Sequence, residues 1–181
     1  MKIYSENEER QIIAGCAIES EKYQELLYKW YYGYVMAVSL SYCTSRDIAQ
    51  EITHDSFMKI FSSIDRFNEK QALKSWIRKI TVNTAIDYYR RDKKHLYHLD
   101  VSEYSSDIPS SAIIDQLTID DIYKLIEELP EMLKIVFNLY EIEGYSHKEI
   151  VKLVGIKESS SRTYLMRAKM KLRGLVKKHF N

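Results

Sequence analysis

The sequence predicts an all-α protein in which two helical domains are joined by a flexible acidic linker. Proline occurs twice and glycine five times among the 181 residues, so few residues interrupt helices. Apolar residues recur every three or four positions over long stretches, which is the spacing of one helix face. Runs in which β-branched residues alternate with polar residues, the pattern of strands, are few.

The first domain is predicted over residues 1–94. From about Glu6 to Arg91 the helical spacing of apolar residues is almost uninterrupted. We therefore expect several helices whose apolar faces meet in one core. The positions that carry this spacing are Leu26, Leu27, Trp30, Tyr31, Tyr34, Val35, Val38 and Leu40, followed by Ile48, Ile52, Phe57, Ile60, Phe61 and Ile64.

Residues 95–117 are predicted to form the linker, and residues 118–181 the second domain. Serine, aspartate and a proline interrupt the helical spacing in the linker. Between His95 and Asp115 the chain has four acidic residues and no Lys or Arg. This composition is typical of an extended connection.

The second domain contains the signals of a helix–turn–helix. Thr118 with Asp121, and Ser146 with Glu149, have the spacing that caps the start of a helix. Gly155 supplies a left-handed turn before a long basic helix. A helix, a glycine-containing turn and a basic helix together form the helix–turn–helix pattern.

The formal net charge of +1 conceals two basic segments. Residues 69–94 contain eight Lys or Arg and three Asp or Glu. Residues 157–181 contain eight Lys or Arg and one Glu. The remainder of the chain therefore has 11 basic and 22 acidic residues. Two basic segments in an otherwise acidic chain predict two separate contacts with a polyanion. A membrane surface is the disfavoured alternative, because the segments lack a strongly apolar opposite face bordered by Trp or Phe.

Several other function classes are disfavoured. The charged N-terminal sequence lacks the apolar core of a secretion signal, and YVMAVSL is too short to span a bilayer, so we expect a cytoplasmic protein without membrane insertion. Cys16 and Cys43 form no CxxC pair, and the histidines are scattered apart from His95 and His98, so no metal site is predicted. No phosphate-binding loop or nucleophile pattern is present, so we expect no catalytic residue, no cofactor and no enzymatic activity.

Four segments, IIAGCAIESEKYQELLYKWY, DIAQEITHDSFMKIFSSIDRF, ALKSWIRKITVNTAIDYYRR and LPEMLKIVFNLYEIEGYSHKEIVKLVGI, span nearly the whole chain. By these segments, in this order, the chain resembles a bacterial extracytoplasmic-function sigma factor of the sigma-70 family. The resemblance implies sigma domain 2, a linker and a helix–turn–helix sigma domain 4. It implies a promoter-specificity subunit that binds core RNA polymerase, recognises the minus-ten and minus-thirty-five elements and promotes DNA opening.

The resemblance also implies the partners. Domain 2 would bind the clamp helices of the polymerase β′ subunit, domain 4 would bind the β flap, and both would bind promoter DNA. An anti-sigma factor is a further expected partner. The alternative is a helix–turn–helix transcriptional regulator that does not act as a sigma subunit. Such a regulator would need only the second basic segment, so the first basic segment and AQEITHDSFMKIF argue against it.

The segment ALKSWIRKITVNTAIDYYRR is expected to hold the opened minus-ten element. Unstacked bases are held by aromatic faces and amides, while Lys and Arg hold phosphates. The residues expected to pack inward are Leu73, Trp76, Ile77, Ile80 and Thr84. The residues expected to contact DNA are Phe67, Asn68, Lys74, Arg78, Asn83, Tyr88, Arg90 and Arg91.

Three of these assignments have open alternatives. By resemblance, Phe67 and Asn68 line the pocket for a flipped base, but Phe67 can instead anchor its loop to the core. Asn83 matches the family's Asn, but an Asn within a helix often bonds locally. Tyr88 is undecided between core, base stacking and surface.

The segment AQEITHDSFMKIF matches the family's docking surface for the β′ clamp helices. Glu51 and Asp55 are four residues apart and so share a helix face, with His54 between them. The family usually has Gln at the position of His54. Ile52 and Phe57 are expected to be core residues.

The basic helix of the second domain is expected to read the minus-thirty-five element, on or near one side of the helix. The candidate residues are Ser159, Ser160, Ser161, Arg162, Tyr164, Arg167 and Lys171. Short side chains and Arg can contact base edges in the major groove. Two positions depart from the family: Ser161 stands where an inward-facing Val is common, and Lys157 replaces a common capping Ser. The departures predict a shifted or less stable helix start.

Overall fold

The computed structural model describes residues 6–92 and 118–180, and the predicted linker lies outside them. Every regular element in these two ranges is a helix, which confirms the all-α prediction. The chain divides into two compact units, Met1–Tyr88 and Tyr89–Asn181. The α-helices are α1 (Glu6–Ala17), α2 (Glu21–Leu40), α3 (Arg46–Phe61), α4 (Leu73–Asp92), α5 (Ile119–Glu127), α6 (Glu131–Phe137), α7 (His147–Val154) and α8 (Glu158–Phe180).

The first unit packs α1 to α3 and α4 up to Tyr88 around one apolar core. A short 3₁₀ turn, Ile64–Arg66, leads from α3 into the loop before α4. The buried cluster consists of Ile12, Cys16, Leu27, Tyr31, Val35, Phe57, Ile60, Ile64, Leu73 and Ile77. The helical spacing therefore places most of the core correctly. Six of the predicted positions are only partly buried: Leu26, Trp30, Tyr34, Leu40, Ile48 and Phe61.

A buried hydroxyl pair joins α2 to α3. The Thr53 hydroxyl donates to Ser39 Oγ at 3.1 Å, and the Ser39 hydroxyl donates to the carbonyl of Val35 at 2.9 Å. Both side chains are fully buried, so these polar atoms satisfy one another away from water. The pair fixes which face of α3 turns inward, and it therefore leaves the opposite face to solvent.

The second unit has the predicted caps at the predicted places. Thr118 and Asp121 form a capping box at α5, and Ser146 and Glu149 form another at α7. Gly155 follows α7 with φ +78°, the left-handed conformation that favours glycine. The core cluster of Ile126, Leu129, Leu133 and Ala168 joins α8 to the helices before the helix–turn–helix.

Helix α6 does not end regularly but widens into a π-helical segment, Asn138–Ile142. The amide of Glu143 donates to the carbonyl of Asn138 at 2.9 Å, five residues back. Such segments are rare and are frequently found at functional sites. Here the segment turns Tyr140 toward α7, where its ring stacks on His147 with centroids 4.6 Å apart.

Candidate nucleic-acid interface

Helix α4 has one apolar face and one cationic face. Leu73, Ile77 and Thr84 are buried as expected. Trp76 and Ile80 pack against the same core from its edge, so the expected inward face is confirmed. The exposed basic residues of α4 are Lys74, Lys79, Arg90 and Arg91.

Two basic side chains of α4, Lys74 and Arg78, contact Tyr34, a residue that the sequence pattern assigns only to the core. Lys74 Nζ lies 4.7 Å from the centroid of Tyr34, on α2. Arg78 Nη1 lies 3.4 Å from the hydroxyl oxygen of the same tyrosine. Sequence spacing shows that Tyr34 lies near the inward face of α2, but not which side chains of another helix surround it. Tyr34 is therefore a functional candidate that the sequence did not reveal.

Asn83 is half-buried in the middle of α4, and its side-chain oxygen is an unusual feature. Within residues 6–92 and 118–180, no group donates a hydrogen bond to Oδ1, although the atom is fully covered. The side chains of the neighbouring Thr81 and Thr84 do have partners, because their hydroxyls donate to backbone carbonyls four residues back. A local hydrogen bond to Asn83 Oδ1, the open alternative, is thus not found in the described part of the chain.

The loop before α4 holds Phe67 and Asn68 in defined contacts. The ring of Phe67 packs edge to face on Trp76, with centroids 5.3 Å apart. This contact agrees with the alternative in which Phe67 anchors the loop. The side-chain oxygen of Asn68 accepts a hydrogen bond from the amide of Lys70 at 3.0 Å, and Asn68 itself is exposed. Tyr88 is half-buried.

The outer face of α3 is acidic and has an apolar residue within it. Glu51, His54 and Asp55 are all exposed, and Ile52 and Phe57 are buried as expected. Met58 follows Glu51 by seven residues and is 62% exposed on the same face. The sequence does not single out Met58, because a methionine in an amphipathic helix usually belongs to the core.

Burial corrects one of the residues predicted to read the minus-thirty-five element. Ser161 is 0% exposed and its hydroxyl meets His147 of α7, so it cannot contact DNA directly. Tyr164 packs against the core cluster of the second unit but is only half-buried, so its contact with DNA stays a prediction. Ser159 and Arg162 are exposed, while Ser160 is half-buried.

The expected single reading side of α8 is also corrected. Arg162 and Arg167 are five positions apart, which separates them by about 140° around an α-helix. Arg167 and Lys171 are half-exposed and share the second side. The more exposed side of α8 instead combines Arg162 with Met166, which is 55% exposed, and with Lys169, whose ammonium pairs with the Glu141 carboxylate at 2.7 Å.

A buried polar pair holds the two helices of the helix–turn–helix together. His147 Nδ1 lies 2.9 Å from the hydroxyl oxygen of Ser161, and the histidine is 9% exposed. Helix α8 begins at Glu158, directly after Lys157, and its first turn is stabilised by the Arg162–Glu158 ion pair at 2.7 Å. The inward-facing Ser161 therefore has a partner, which explains how a serine is accommodated at an apolar position.

Acidification is expected to weaken the pairing of α7 with α8. Burial, and secondly the charge of Arg162, lower the pKa of His147, while Glu158 opposes them. An unfolded histidine binds a proton near pH 6.5. The unfolded state then binds more protons than the folded state, so stability is constant above about pH 6.5 and falls as the pH drops below it.

Amide hydrogen exchange in α7 and α8, corrected for intrinsic rates, will measure this loss between pH 7 and pH 5. His147→Gln is the control, because Gln can bond Ser161 but does not titrate. Glu149 and Glu158 do not interfere, because hydrogen bonds lower the pKa of each carboxyl below its usual value near 4.5. Equal pH dependence in the parent and His147→Gln between pH 7 and pH 5 would exclude His147 as the cause.

Within residues 6–92 and 118–180, no group of three His, Cys, Asp or Glu side chains is placed to hold a metal ion. In the same ranges no helix is long and apolar enough to cross a membrane.

Burial raises the pKa of the Cys16 thiol to about 11, so its reactive thiolate is scarce at neutral pH.

Two helical units that each present a basic helix, one of them within a helix–turn–helix, define a DNA-binding transcription protein. Comparison with known proteins agrees with this class. The family model for sigma-70 region 2 matches residues 21–95, and the model for sigma-70 region 4 matches residues 119–172. The chain belongs to the sigma-70 family, within its extracytoplasmic-function group of transcription initiation factors.

Individual relatives agree with the family models. RNA polymerase sigma factor SigV of Bacillus subtilis is 29% identical over 131 residues, which cover 72% of this chain and 77% of SigV. ECF RNA polymerase sigma factor SigM of Bacillus subtilis is 24% identical over 159 residues, which cover 86% of this chain and 96% of SigM. The solved structure of CnrH in complex with the cytosolic domain of CnrY shares the fold, with a TM-score of 0.50 at 17% identity over 95% of this chain and 99% of CnrH.

Proposed function

We propose that this sigma factor is a promoter-specificity subunit that binds core RNA polymerase, recognises two promoter elements and helps to open the DNA. One observation carries the proposal: a single chain presents a cationic face on α4, a second on α8 and an acidic face on α3. A simple helix–turn–helix regulator would need only α8. The proposal places the protein in the cytoplasm, where the chromosome and the polymerase are.

We propose that the two domains bind different partners. Residues 1–94 would serve as sigma domain 2, residues 95–117 as the linker and residues 118–181 as sigma domain 4. The first would bind polymerase and the minus-ten element, and the last would bind the minus-thirty-five element. Family membership makes the β flap and an anti-sigma factor further expected partners.

The proposed minus-ten surface is built along α4. Lys74, Arg78, Arg90 and Arg91 provide charges for phosphates, which a protein binds by releasing counterions. Asn83 provides an amide for an unstacked base, which it would hold after turning outward, because its Oδ1 is covered in this structure. Phe67 and Asn68 remain proposed as the walls of a pocket for a flipped base, with Phe67 also anchoring the loop to Trp76.

The proposed polymerase surface is the outer face of α3. Exposed carboxylates of Glu51 and Asp55 suit a basic partner surface, and electrostatic complementarity contributes mainly to association rate and specificity. Met58 lies on the same face and supplies the apolar contact that an interface centre usually contains. His54 is proposed to contact the same partner.

A transcription experiment separates this function from its alternatives. Core RNA polymerase should be captured by the chain, and transcription should start from a duplex promoter as well as from a promoter whose minus-ten region is already unpaired. A helix–turn–helix regulator would bind the duplex but would not capture core polymerase or support initiation from either template.

Met166 and Arg162 provide a test of the proposed minus-thirty-five surface. An exposed methionine can contact the methyl group of thymine, and Arg can bind guanine through two hydrogen bonds. We expect Met166→Ala to lose about 1 kcal/mol of preference for a particular thymine, and Arg162→Ala to lose about 1–3 kcal/mol at a guanine.

Binding of the holoenzyme to promoters with single base changes measures both effects. Replacement of the contacted thymine by uracil removes only its methyl group, so it should weaken the parent but not Met166→Ala. Lys171→Ala, on the other side of α8, should weaken all sequences alike. If Met166→Ala, Arg162→Ala and Lys171→Ala each lost the same affinity on every promoter sequence, α8 would bind phosphates without reading bases. Arg167→Ala tests the second side of α8 in the same way: a loss confined to one base pair would show that this side also reads bases.

A further inference from the structure

We propose that Tyr34 is a positioning residue for single-stranded promoter DNA, because its ring holds Lys74, and its hydroxyl more weakly orients Arg78, to pair with successive phosphates. The inference rests on the proposed role of α4 in binding the minus-ten element, and it adds to that role a residue from a different helix. Tyr34 lies outside the four sequence segments that carry the resemblance and outside the basic segment of residues 69–94.

The geometry brings two cations from one helix to one ring on another. Lys74 and Arg78 are four residues apart on α4 and therefore lie one turn apart on the same face. Lys74 Nζ is 4.7 Å from the ring centroid, which is within the range of a cation–π contact. Arg78 Nη1 is 3.4 Å from the phenol oxygen, a long and weak hydrogen bond.

The contact with the ring restricts Lys74 without placing a carboxylate against its ammonium group. Lys and Arg side chains have many rotamers, and binding an anion requires one of them to be chosen. A ring that has already selected the rotamer reduces the entropy lost when a phosphate binds. Lys59 shows the contrasting arrangement, because its ammonium is paired with the Asp87 carboxylate at 3.1 Å and its charge is largely compensated. Within residues 6–92 and 118–180, Lys74 has no carboxylate partner of this kind.

Tyr34 is itself rigid enough to act in this way. Its ring is half-buried and packs at the edge of the core of the first unit. Packing against the core restricts the Tyr34 ring, and the ring in turn restricts the Lys74 side chain. A tyrosine whose only role was packing would be replaceable by leucine without any change in salt dependence.

The experiment uses holoenzyme reconstituted from the full chain and core RNA polymerase. Its dissociation constant is measured on a fork-junction DNA with a single-stranded minus-ten non-template strand, over a range of KCl concentrations. Tyr34→Leu is expected to weaken binding about two- to fivefold, the size of an exposed cation–π contact. It should also reduce the slope of log affinity against log salt by up to about 0.7, the value for one phosphate of a single strand.

Two further variants separate positioning from packing. Tyr34→Phe keeps the ring and is expected to bind within twofold of the parent. Tyr32→Leu removes a neighbouring half-buried ring, which packs on Tyr28 with centroids 5.2 Å apart, and should leave the salt slope unchanged even if stability falls. Rescue by Phe, but not by Leu, supports the inference.

A double-mutant comparison completes the test. In a Lys74→Ala, Arg78→Ala background, Tyr34→Leu should have no further effect, because the cations that it positions are gone. The inference is overturned if Tyr34→Leu binds as tightly as the parent, or weakens the cation-free background equally. If Lys74→Ala with Arg78→Ala has no effect in the first place, the proposed minus-ten role of these cations fails, and the inference fails with it.

Discussion

Replacing Asn83 by alanine is expected to stabilise the first unit while it impairs promoter opening. The covered Oδ1 without a donor costs about 1–3 kcal/mol in the folded state. Alanine removes this cost and is a better helix former by a few tenths of a kcal/mol. The free energy of unfolding should therefore rise by about 1 kcal/mol, after the lost van der Waals contacts of the amide are subtracted.

Promoter opening should change in the opposite direction. If the amide of Asn83 turns outward to hold an unstacked base, its loss removes a contact of about 1–3 kcal/mol, or roughly 5- to 150-fold in open-complex formation. Urea unfolding of the full chain, followed by Trp fluorescence, measures the stability. Open-complex formation on a duplex promoter measures the function.

Matched variants on the same helix identify the cause of the defect. Arg90→Ala and Arg91→Ala should preserve the parent's preference for bases of the non-template minus-ten strand and show a shallower salt dependence, because they bind phosphate. Asn83→Ala should respond less than the parent to those base changes. A parent-like base preference together with lowered stability would mean that Asn83 is a structural residue.

Reversing the charges of Glu51 and Asp55 together is expected to weaken binding to core polymerase by at least tenfold. The two carboxylates lie on the exposed face of α3, and placing two ammonium groups there would oppose a basic partner. Exposed charges contribute little to stability, so the free energy of unfolding should change by no more than about 1 kcal/mol. A fluorescence titration of labelled chain with core polymerase measures the affinity.

Glu21→Lys with Glu25→Lys is the matched control. These residues are also exposed, and they have the same four-residue spacing on α2. The control changes the net charge of the protein equally but leaves the face of α3 intact. If Glu51→Lys with Asp55→Lys bound core polymerase as tightly as the parent, the assignment of α3 as the docking surface would be wrong. An equal loss of affinity in this variant and in Glu21→Lys with Glu25→Lys would show a general effect of net charge.

Local interactions were predicted well from the sequence. The capping boxes at Thr118 and Ser146, and the left-handed Gly155, depend on residues within one turn of each other. The apolar spacing of α4 similarly placed Leu73 and Ile77 in the core. Such features need no knowledge of which helices pack together.

Contacts between distant residues were not predictable in this way. Tyr34 and Arg78 are 44 residues apart, and His147 and Ser161 are 14 apart. Each pair meets only because two helices cross at that point. The exposure of Met58 was missed for a different reason: a methionine at helical spacing fits a core and an interface equally well.

The π-helical segment allows the second unit to accommodate a difference in chain length. Between Asn138 and Ile142 the backbone makes a wider turn than an α-helix has, with a hydrogen bond that spans five residues. Such a turn takes about one residue more than an α-helical turn for nearly the same rotation, so removing one residue there would restore a regular α-helix and leave the following helices in nearly the same orientation. Only the residues within the segment would be displaced, among them Tyr140, whose ring stacks on His147. A relative that is one residue shorter here would therefore keep the orientation of its helix–turn–helix and change only this local contact.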